Sequence, residues 1–112
     1  MPAPQSQGAQ DQGAPNQEAS AEARVPTAMA GRYLTQLCKH FGHRVPTGIE
    51  DGRGWIAFQG GGCTLETDGD SLVMRIAAED AASLARLEEV AASHLQRFAF
   101  RETLQIAWQP VG

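Results

Sequence analysis

The stretch QLCKHFGHR, from Gln36 to Arg44, places Cys38, His40 and His43 within six positions of one another. A thiol and two imidazoles at such spacing can ligate a transition metal, form a nucleophile with its base, or finish an ordinary helix. Helical geometry separates them. At about 100° per residue, Cys38 and His40 point about 200° apart, whereas His40 and His43 are about 60° apart and can share a ligand. A site using all three needs the helix to unwind near Phe41, just before Gly42.

A fourth residue extends the set. His94 falls inside an apolar stripe, between Val90 and Ala91 on one turn and Phe98 on the next. Cys63 shares the inward side of a strand with Leu65. Convergence of Cys38, His40, His43 and His94 would make a metal site, with Cys63 nearby, suited to zinc or iron. The bland alternative makes each thiol a small buried residue, His94 a core imidazole bonded to backbone, and His43 a solvated cation at a helix end. Neither a C-x-x-C pair nor H-E-x-x-H is present to favour the metal.

Other chemistries find less support. QGGGC joins two strands, so its glycines lack the helix N-terminus that receives a phosphate. Patterning places both thiols inward, which works against a Cys38 nucleophile, and no catalytic residue is assigned. Glu66, Asp68 and Asp70 lie on a strand and its turn. Arg32, Lys39 and His43, with Arg44, form a basic row able to hold a small anion or simply to face water. Arg101 and Glu102 read as a surface ion pair.

The elements that must position these residues are legible from periodicity. EARVPT reads as a short edge strand ending at Pro26, with Thr27 as N-cap of a helix from Ala28 to Gly42. That helix buries Ala30, Tyr33, Leu34, Leu37, Cys38 and Phe41. RVPTGIE is a weaker strand, broken by Pro46 and Gly48, and EDGRG is a turn. GWIAFQ, CTLET and LVMRIA alternate cleanly, joined by glycine-rich hairpins. A second helix runs from the cap Asp80 to Phe98, and TLQIAW is a last strand with Leu104, Ile106 and Trp108 on one side. The expected fold is therefore α+β in two layers: an antiparallel sheet with two helices packed on one face, in the order β-α-β-β-β-β-α-β.

Residues 1–22 read as a disordered tail and 23–112 as one small domain, since the opening lacks aromatic and branched aliphatic residues. The tail resembles neither a secretory signal nor a presequence, and no apolar run is long enough for a bilayer, so a cytoplasmic protein with reduced thiols is expected. The net charge is −4, but Asp11, Glu18 and Glu22 precede every basic residue. The remainder is nearly balanced, which offers no field for a nucleic-acid backbone.

Three segments carry a likeness. RVPTAMAGRYLTQLCKHFGHR, GGGCTLE and RLEEVAASHLQRFAFRETLQIAWQP resemble the bacterial family known as domain of unknown function 2218. The resemblance covers roughly Ala23 to Pro110, and its paired signals are L-C-K-H-x-x-H and H-L-x-R-F-A-F-R-E. It implies a small α+β domain without established catalytic residues. The family's recurring polar positions fall on Cys38, Lys39, His40, His43, Cys63, His94, Arg97, Arg101 and Glu102. The sequence departs from the family at VPTGIEDGRG, where Gly48 interrupts the strand. Family members often lie beside, or are fused to, siderophore-interacting flavin reductases, which implies a context of iron handling.

Two functions compete on this reading. One is an accessory module that binds a metal, iron or zinc, or its chelate through Cys38, His40, His43 and His94. The other is a protein-interaction domain docking a partner, such as that reductase, through the sheet face the helices leave open. Trp55 and Arg75 are the interaction residues, accompanied by Ala57, Thr64 and Val73. A Cys38-dependent enzyme ranks behind both.

Overall fold

Strands of opposite-facing side chains and two amphipathic helices assemble into a two-layer domain. A computed structural model describes residues 18–111. The elements are β1 (Ala19–Pro26), α1 (Ala30–Phe41), β2 (Thr47–Glu50), β3 (Arg53–Phe58), β4 (Gly61–Thr67), β5 (Ser71–Ala78), α2 (Ala81–Phe98) and β6 (Gln109–Pro110). The six strands form one antiparallel sheet in the order β2-β3-β4-β5-β1-β6. Both helices cover the same face, so the fold class and element order match the sequence reading. No helix among the described residues is long and apolar enough to cross a membrane.

Alternation decides which side chains enter the core. Ile56, Cys63, Leu65, Leu72, Met74 and Ile76 are buried on the inner face and meet Leu34, Leu37, Leu87 and Leu95 from the helices. Each fully buried Leu stabilises the domain by about 1.5–3 kcal/mol relative to exposure. The β2–β3 hairpin turns on Asp51 and Gly52, both with positive φ (49° and 76°), the backbone a type I′ turn requires. α2 begins at Asp80, whose carboxylate accepts from the Ser83 N–H at 2.7 Å.

Three boundaries differ from the sequence reading. β1 starts at Ala19 and pairs with β5 along all eight residues, so positions 19–22 belong to the sheet rather than to a tail. Residues 1–17 and 112 lie outside the described residues. Helix α1 starts at Ala30, because the Thr27 hydroxyl accepts from the Met29 N–H and forms a local turn instead of capping a helix. TLQIAW is not a strand. Leu104 is buried and Ile106 and Trp108 pack partly against the core, but the ladder is confined to Gln109 and Pro110 opposite Glu22 and Ala21. Alternating burial reports which side chains face inward, and an extended segment can satisfy it without pairing.

Candidate functional site

The metal-ligand set divides into two places. Cys38 is fully buried where α1 crosses β3: a Cβ on Gly54 would lie 2.8 Å from its sulfur, and the thiol donates to the Gly48 carbonyl at 3.8 Å. Cys63 is buried on β4, and both cysteines are free. Burial raises the Cys38 thiol above its ordinary value, only partly offset by the Trp55 backbone. Burial, with Cys38 adding to it, pushes Cys63 up to about 12. Both sulfurs are enclosed in the core, where burial disfavours the charged thiolate.

The imidazoles lie elsewhere. His40 comes off the exposed side of α1 and meets His94 of α2 with ring centroids 5.0 Å apart. Phe41 and Phe98 border the pair, and Phe58 packs on Phe41. His94 is half-buried rather than enclosed. Its Nδ1 lies 2.7 Å from the Val90 carbonyl, which can only accept. Nδ1 therefore carries a proton, and in the neutral ring Nε2 is left as the free lone pair. Desolvation lowers the His40 pKa, followed by the charges of His94, Arg97, His43 and Arg44. His43 itself lies beyond the end of α1, exposed. Among the described residues no three of His, Cys, Asp and Glu converge to hold an ion. The structure thus joins His40 to His94 and separates Cys38 from both.

The sequence reading missed one cluster altogether. Tyr33 donates its hydroxyl to Glu102 Oε2 at 2.5 Å, and Thr27 Oγ1 donates to the same oxygen at 3.1 Å. Glu102 also holds the Tyr33 phenol above its ordinary pKa, chiefly through that hydrogen bond and then through burial. The expected Arg101–Glu102 surface pair is absent from the ion pairs of the described residues, because the carboxylate turns inward to two hydroxyl donors. Partners 69 and 75 positions away leave no local signal in sequence.

The uncovered sheet face is ordered in rows. Gly48, Trp55, Thr64, Arg75 and Glu22 lie side by side across five strands, and Ala57, Gly62 and Ala77 form the next row. Trp55 is 47% exposed. Its indole lies over Gly48, where a Cβ would come within 2.4 Å of Nε1. Gly48 therefore does not spoil the strand: it pairs with Trp55 and accepts the ring above it. Beside the indole, the small residues leave a depression of about 350 Å³. Arg75 is not a free contact, since its Nε and Nη2 both reach Glu22 Oε1, at 3.0 and 2.5 Å. Arg24–Asp68 and Arg53–Glu66 complete the ion pairs along this face.

These features can be set beside known proteins. The family described as an uncharacterized protein conserved in bacteria (DUF2218) matches residues 22–109. The chain belongs to this family. The DUF2218 chain is similar to PA4090 from Pseudomonas aeruginosa, whose structure was determined by NMR. The two are 40% identical, with a TM-score of 0.70 over 81% of this chain and 95% of that one. No curated protein matches the DUF2218 chain.

Proposed function

We propose that the domain is a non-enzymatic accessory module that docks a protein partner through its open sheet face. The observation that carries this reading is Trp55, 47% exposed on the strand next to one edge of a face neither helix covers. Aromatic anchors beside a shallow pocket are the residues that dominate binding energy at protein interfaces. The depression next to Trp55 offers a seat for an apolar side chain. Ion pairs within the face tie up Arg24, Arg53 and Arg75, so the partner it suits presents an apolar patch rather than a charged one. A siderophore-interacting flavin reductase is the partner proposed, which would place the domain in iron metabolism. Titrating Trp55→Ser into that reductase tests it by calorimetry. At least tenfold weaker binding with unchanged thermal stability is expected, and undiminished affinity overturns the reading.

A second reading rests on the imidazole pair. His94 Nε2 and His40 supply two nitrogens, and Arg97 and Arg44 make their surroundings positive. That field opposes a bare cation and favours an anionic chelate that brings its own ligands to iron or zinc. Adding a ferric hydroxamate should shift both rings in the NMR spectrum. Unmoved His40 and His94 signals overturn this reading.

A further inference from the structure

We propose that the cleft between the start of α1 and the turn after α2 binds a small aromatic anion, its carboxylate or phosphate held by Arg32 and Arg101 and its ring laid on Phe100. The cleft measures about 470 Å³, within the range of small-molecule sites, and Met29, Tyr33 and Phe98 contribute to its walls. Three observations combine there. First, neither arginine forms an ion pair among the described residues. Second, the nearest acid in sequence, Glu102, is engaged by Tyr33 and Thr27 at one oxygen. Neither guanidinium is thus held by a carboxylate of the described residues, and their planar forks match a carboxylate or phosphate. Third, Phe100 is 78% exposed, the most exposed of the large apolar side chains described, with the Arg101 guanidinium 5.5 Å from its ring centre. Arg101 takes one face of the ring, and its high exposure leaves the opposite face open to a second aromatic. Gln36 adds an amide at the rim for a further polar substituent.

This site lies on the helical layer and shares no residue with the docking face, so the two readings stand or fall separately. The test is an amide-resolved NMR titration of the full chain with 1-naphthoate, 1-naphthyl phosphate and the neutral naphthalene-1-carboxamide. At least one anion should saturate below about 10 mM, with shifts centred on Met29, Arg32, Gln36, Phe100 and Arg101. The carboxamide should bind at least fivefold more weakly. The tighter of the two anions assigns the head group. The double variant R32Q/R101Q changes only exposed side chains and should lose at least fivefold in affinity without moving the thermal midpoint. No saturable shift with either anion, a smaller preference over the carboxamide, or a smaller loss in the double variant overturns the proposal.

Discussion

Two glycines on neighbouring strands show how differently the two faces of the sheet are built. Gly54 points inward, and its missing side chain lets Cys38 and Leu34 of α1 sit against β3. Gly48 points outward, and its missing side chain lets the Trp55 indole lie flat on the strand. The inner vacancy is filled by the domain's own helix. The outer one presents an aromatic ring that nothing else in the fold covers. The inner face is therefore organised for stability, and the outer face holds its arginines in internal pairs while leaving the Trp55 ring open.

That contrast can be broken most severely from the inside. Gly54→Val drives carbon into the Cys38 sulfur and the Leu34 methyl, where both are already buried, and should cost about 3 kcal/mol in urea denaturation. Tyr33→Phe strips one of the two hydroxyl donors from Glu102, a hydrogen bond to a carboxylate, and should cost about 2 kcal/mol. Gly48→Ala should cost only about 1 kcal/mol, because the indole can swing into solvent. Its signature is instead a shifted Trp55 indole N–H resonance and weaker partner binding. An equal stability loss for Gly48→Ala and Gly54→Val would erase the distinction between the faces.

The smallest effect is expected at the imidazole pair. The folded domain holds His40 below its ordinary pKa, so the unfolded chain takes up this proton first as pH falls. The contribution to stability is intact above about 6.5 and is lost as pH drops through the lowered folded value. Urea midpoints measured from pH 7.5 to pH 5 should decline, and His40→Asn should flatten part of that decline.

Much of this was legible from residue order. Alternation in GWIAFQ, CTLET and LVMRIA told the inner face from the outer, and placed Trp55, Ala57, Thr64, Val73 and Arg75 together on the latter. The stripe on α1 separated Cys38 from His40, as the structure does. What escaped depends on tertiary contacts. The stripe put His94 among core residues, but burial there is graded, and the ring sits half-buried beside His40 with its own helix as hydrogen-bond partner. Arg75 read as an exposed cation until the register with Glu22 gave it a partner. Glu102 read as a neighbour of Arg101, yet its direction is decided by two hydroxyls from the far end of the chain.

The pairing of β1 with β5 has a consequence for how the molecule comes into being. Every strand from β2 to β5 meets its neighbour through a short hairpin, a local and fast event, whereas β1 waits unpartnered while α1 and three further strands are made. On a ribosome, β1 emerges well before β5 and is thus a tethered template with exposed Ala21, Ala23 and Val25, and the growing chain closes this part of the core only when β5 arrives to zip along it.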